Sequence, residues 1–124
     1  MKVTISLNDP DLSDEALQRY VEALVPQVKE VDGVEDATLV PFNQALAVAG
    51  MTPKSVGGFL IGAMQAEVNF ENIGKLWNFL KDRLANKSLE AAFEAPDGRK
   101  FTGKANNQED FEFLMQQAEE FFKA

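Results

Sequence analysis

Hydrophobic positions recur along this chain with two different periods, and each change of period marks an element. Val3, Ile5 and Leu7 alternate with Lys2, Thr4 and Ser6, which predicts a half-buried first strand. Asn8 to Asp11 carries turn chemistry. Ser13 is a suitable N-cap, with Asp14 and Glu15 in the first turn, where the helix dipole favours acids. Leu17, Tyr20, Val21, Leu24, Val25 and Val28 then form an apolar stripe. Because Pro26 cannot donate to the helical ladder, the reading is a helix over 13–25, then a short helical turn from Pro26 ending at Asp32-Gly33. A second strand is expected over 34–42, with Leu39 and Phe42 in the core and Pro41 marking an edge or the strand end. Residues 43–53 have the least pattern and read as a mobile loop or a short extra strand.

Residues 54–87 are the most apolar part of the chain and read as one long helix or two in succession. Val56, Phe59, Leu60, Ala63 and Met64 fall at i, i+3, i+4, i+7 and i+8, the spacing of a helix face. Gly58 and Gly62, four apart, would form a flat stripe on that helix where another backbone approaches closely. Phe70, Ile73, Leu76 or Trp77, Leu80 and Leu84 continue at helical spacing, with a break near 67–71 and Asn69 as the next N-cap. Lys81, Arg83 and Lys87 complement the dipole of the last turns.

Alternation returns after Ser88. Leu89, Ala91, Phe93 and Ala95 face one way, and beyond the Pro96-Asp97-Gly98 turn Phe101, Gly103 and Ala105 do the same. This predicts a hairpin, with Glu90 facing Lys104, Glu94 facing Lys100, and positive φ at Gly98. Asn106 or Asn107 caps a last helix whose buried face is Phe111, Leu114, Met115, Ala118 and Phe121 or Phe122. The predicted fold class is α+β in a single domain, 1–124. It has a four-stranded antiparallel or mixed sheet, helices mainly on one face, and the order β-α-β-α-(α)-β-β-α.

Composition narrows the chemistry. Cys and His are both absent, which removes thiolate nucleophiles, disulfides and the usual neutral-pH base. The net charge of −8 is uneven: nine acids and three bases over 1–53, six and eight over 54–104, five and one over 105–124. So acidic a chain repels nucleic acid and anionic membrane. The apolar run ending near Ala66 is too short to span a bilayer, and Met1 to Leu7 does not resemble a signal peptide, so a cytoplasmic protein is expected. Val56-Gly57-Gly58-Phe59 lacks the flanking strand and Lys-Ser/Thr of a phosphate loop. Asp9, Asp11 and Asp14 read as a capped, solvated helix start in place of a cation site, and Glu35-Asp36 and Glu119-Glu120 as solvated pairs. Trp77 and Tyr20 read as core. No catalytic, cofactor or metal residue is assigned.

Three features together are familiar: the Gly-rich apolar segment Gly57, Gly58 and Phe59 to Ala63, the hairpin tip Ala95-Pro96-Asp97-Gly98-Arg99, and the Asn/acid-started segment Asn106 to Asp110 before an apolar helix. With the N-terminal strand and acidic helix, the chain resembles the effector-associated constant component family, best over about 55–122. That family comprises small α+β proteins of bacterial conflict or signalling loci. The resemblance implies a non-enzymatic adaptor or interaction module with protein partners, and carries over no catalytic residues. The alternatives are a small-molecule-binding or carboxylate/lysine-based enzymatic domain, and peripheral membrane association through residues 56–66. The glycine stripe further predicts a homodimer with Gly58, Phe59 and Gly62 near its interface.

Overall fold

The computed structural model describes residues 1–41, 55, 56, 58–83 and 87–123. Its strands are β1 (Lys2–Asn8), β2 (Val34–Pro41), β3 (Ser55–Val56), β4 (Phe59–Val68), β5 (Ser88–Glu94) and β6 (Lys100–Ala105). Its helices are α1 (Asp14–Lys29), α2 (Ile73–Arg83) and α3 (Gln108–Lys123), with a 3-10 turn at Phe70–Asn72. Five strands lie in the order β2-β4-β1-β5-β6, and the two-residue β3 pairs with the start of β4. Every pairing is antiparallel. The α+β class is as expected, but the sheet has five strands in that path where the sequence reading has four.

The additional strand replaces a predicted helix. Residues 59–68 are not helical: β4 is internal to the sheet, with Met64 paired to Ile5 on one side and to Leu39 on the other. β1 and β2 both run antiparallel to β4, so they are parallel to each other with β4 inserted between them. In the same way β4 and β5 are parallel with β1 between them. Two interleaved split β-α-β units result, the ferredoxin-like arrangement, extended here by β6 and α3.

All three helices cover one face, as the sequence reading expects. Val3, Ile5, Leu7, Ala66, Val68, Ala91 and Phe93 from the sheet share one buried cluster with Val21, Leu24 and Val28 of α1, Leu76 and Leu80 of α2, and Leu114 and Phe122 of α3. The other face carries Lys2, Ser6, Gln65, Glu67, Glu90, Thr102 and Lys104, the polar side of an antiparallel sheet. The exception is a second, smaller buried cluster of Val40, Leu60 and Ala63. Alternation along β2 and β4 places Val40 and Ala63 away from the helices.

Local chemistry sets most boundaries. Ser13 Oγ accepts the Ala16 N–H, Asn69 Oδ1 accepts that of Glu71, and Asn107 Oδ1 accepts that of Asp110. Gly98 has φ +91° in the β5–β6 turn, and Lys104 Nζ meets Glu90 Oε1 at 3.0 Å across that hairpin. α1, however, continues through Pro26 to Lys29. Pro26 and Glu22, whose carbonyl loses its i+4 donor, are both exposed, while buried Val28 anchors the last turn. In β2 the buried residues are Ala37 and Val40, Leu39 is half-buried, and Pro41 lies on an edge strand as expected. Phe42 and residues 43–53 fall outside the described residues. On β6, a Cβ at Gly103 would come 2.2 Å from Leu114 Cδ1, so glycine lets α3 settle onto the edge strand.

Gly62 is the other glycine the fold requires. It sits in β4 at φ +75°, beside the register shift between β2 and β4. Its N–H, released from the ladder, donates to buried Gln18 Oε1 of α1 at 2.8 Å. A Cβ there would lie 2.8 Å from Leu7 O and 2.9 Å from Leu17 Cδ2. Gly62→Leu therefore combines left-handed backbone strain with overpacking, and is expected to destabilise by about 3 kcal/mol. Chemical denaturation of the purified variant checks this; an unchanged midpoint would show that the bulge relaxes freely.

Candidate functional site

The three residues picked out as an interaction surface are separated by the fold. Gly58 and Phe59 are exposed at the start of β4, whereas Gly62 is buried under α1. No helix stripe joins them, because the segment is a strand. Among the described residues no helix is long and apolar enough to cross a membrane.

Surface concavity lies elsewhere. A groove of about 390 Å³ runs between α2 and α3. Gly74, Trp77, Asn78 and Lys81 line it from α2, at the i, i+3, i+4, i+7 spacing of a helix stripe. Met115, Gln116 and Glu119 face them from α3, with Trp77, Phe111 and Met115 supplying buried apolar surface. Aromatic contacts fix the floor. Trp77 meets the Phe93 and Phe111 rings edge-on, at 5.3 and 6.2 Å between centroids. The Trp77 indole Nε1 is buried without a hydrogen-bond acceptor. One end of the groove is tied by the Lys81–Glu112 ion pair and by Gln108 Nε2 donating to Lys81 O. At the other end the Phe70 and Phe122 rings meet at 6.4 Å. Phe113 stands on the outer side of α3 next to Glu112 and is 61 % exposed, the most exposed large apolar side chain among the described residues. The sequence carried a signal for it: Phe113 lies off the apolar stripe of its own helix. Nothing in the spacing marked Gly74 as part of a groove.

A second cleft, of about 460 Å³, is lined by Glu35, Asn69, Phe70, Asp97, Arg99 and Phe122 among others. Asp97 and Arg99 are engaged within the fold. Arg99 Nε donates to Asp97 Oδ2 at 2.8 Å, and its terminal nitrogens donate to the Phe121 and Phe122 carbonyls, capping the C-terminal end of α3. The Arg99 backbone N–H holds the Asp97 carboxyl below the ordinary aspartate value; desolvation opposes it, and the guanidinium adds a further lowering.

The acidic helix start is likewise committed to structure. Asp9 Oδ1 accepts the Asp11 N–H, and Asp9 Oδ2 pairs with Lys87 Nζ at 3.4 Å. Both side chains are largely buried, and Lys87 Nζ lies 4.4 Å from the Tyr20 ring centroid. Among the described residues no three Asp or Glu side chains gather as a metal site.

These two ion pairs generate separate expectations. Asp9→Ala leaves the Lys87 ammonium largely buried and unpaired, and is expected to cost about 2–4 kcal/mol in a denaturant titration. A cost near zero would show that Lys87 swings out to water. For Asp97 the folded-state value is the lower one, so its contribution is present above the unfolded value near 4 and lost as pH falls through the folded value. The melting-temperature gap between wild type and Asp97→Asn should therefore be open at pH 7 and close below about pH 4. A gap independent of pH would remove the carboxylate from the account.

In comparisons with known proteins, no family model, no curated protein and no solved structure matches this chain.

Proposed function

We propose that the protein is a non-enzymatic adaptor or interaction module of a bacterial effector-associated conflict or signalling system. The resemblance of the Ala95–Arg99 hairpin tip and the Asn106–Asp110 helix start to the effector-associated constant component family supports the setting. The observation that carries the interaction reading is the α2–α3 groove. It combines an apolar aromatic floor, a mixed-charge rim and an exposed phenylalanine beside it, the composition of a protein-contact surface. The larger cleft favours a second reading, small-molecule binding, on volume alone; its Asp97 and Arg99 are already engaged with each other and with the end of α3.

A photoreactive amino acid placed at Gln116, on the groove rim, is expected to give discrete crosslinks to protein in the native cell. The same residue at Thr102, on the polar sheet face, should give none. Absence of crosslinks from position 116 would overturn the reading.

A further inference from the structure

We infer that the α2–α3 face is the contact between two copies of this chain, each inserting Phe113 into the groove of the other. The inference rests on the interaction reading above and names the occupant.

Complementarity within a single patch carries it. α2 and α3 run antiparallel, since α2 returns from β4 and α3 returns from β6. Along this pair, α2 carries Lys75, Lys81, Asp82 and Arg83, a net charge of +2, and α3 carries five acids and Lys123, a net charge of −4, with Lys81 and Glu112 already paired within the chain. Stacking α3 on the α3 of a second copy would set acids against acids. Stacking α3 on the partner's α2 sets each basic stripe against an acidic one, twice over in a two-fold arrangement. Lys75 has only a loose commitment in its own chain: its pair with Asp32 spans 3.5 Å, with side chains 56 % and 82 % exposed.

Shape points the same way. Gly74 is the second residue of α2, and a Cβ built on it would meet nothing within 4 Å. Packing within the chain therefore does not require glycine there. The space it leaves opens on the Trp77–Met115 floor. Phe113 projects into solvent from α3, three residues before Gln116 of the groove rim, and supplies the knob. A patch that holds both knob and hole is self-complementary under two-fold symmetry, which an unrelated partner does not require. The product is a layered dimer, sheet outside and helices inside, with both polar sheet faces left to solvent.

The test is the mass of the full chain by size-exclusion chromatography with light scattering over a concentration series. Wild type is expected to reach the mass of two chains, with a dissociation constant that rises with sodium chloride. Phe113→Ser and Gly74→Leu, both at open positions, should each give one chain with unchanged circular dichroism. Lys75→Glu should weaken the dimer. A wild type that stays at one chain throughout, or a Phe113→Ser that still dimerises, would overturn the inference. The two readings also fail separately. One-chain mass with crosslinks from position 116 to a different protein removes the dimer and keeps the interaction module. One-chain mass with no crosslinks removes both.

Discussion

The edge-to-face contact between Phe93 and Trp77 is the joint on which this structure depends. Phe93 belongs to β5, is 1 % exposed, and touches Trp77 of α2, Phe101 of β6 and Phe122 of α3. Such contacts hold rings at defined angles, so two helices and two strands are oriented by one side chain. Trp77 in turn meets Phe111, which sets how far α2 stands from α3. The groove between those helices follows from the size of the rings beneath it. Large aromatic residues lift the helices apart, and a glycine at position 74 leaves the gap unfilled.

At the opposite end of the sheet the controlling feature is polar. Gly62 turns its N–H out of the β ladder, and Gln18 reaches from α1 to accept it. A buried N–H without an acceptor would cost several kcal/mol, so the position of α1 over the sheet is specified by a hydrogen bond as well as by apolar area. The same economy governs the charged groups: Asp9 with Lys87, and Arg99 with Asp97 and the α3 carbonyls, hold element ends together. What these groups do for the fold accounts for their arrangement. That directs functional attention to surfaces whose features the fold itself does not need, chiefly Phe113 and Gly74.

The proposed adaptor function and the proposed self-association draw on the same physical fact. A sheet covered on one face only has one helical layer, and the outer side of that layer must be polar or find a cover. The outer side of α1 is mainly polar, with Glu15, Arg19, Glu22 and Lys29 exposed. The α2–α3 pair departs from that rule at Phe113 and in the aromatic floor below it.

The local elements of this protein were legible in its sequence because each rests on interactions only a few residues apart. The caps at Ser13, Asn69 and Asn107, the β5–β6 hairpin with its Glu90–Lys104 pair, and the amphipathic face of α3 are of this kind. The identity of residues 59–68 was not legible. An internal strand with buried residues on both faces shows no period of two, and a short apolar run of that type reads equally well as a helix. Met64, Ala66 and Val68 are buried beneath the helices while Leu60 and Ala63 join the opposite cluster, so apolar residues fall at nearly every position. The glycines that looked like a helix-packing stripe were instead supplying positive φ, which only the paired strands on either side make necessary. The groove was hidden for a related reason. It exists between two helices that the chain order alone leaves unrelated, and it is the sheet order, with β6 placed beyond β5, that sets α3 beside α2.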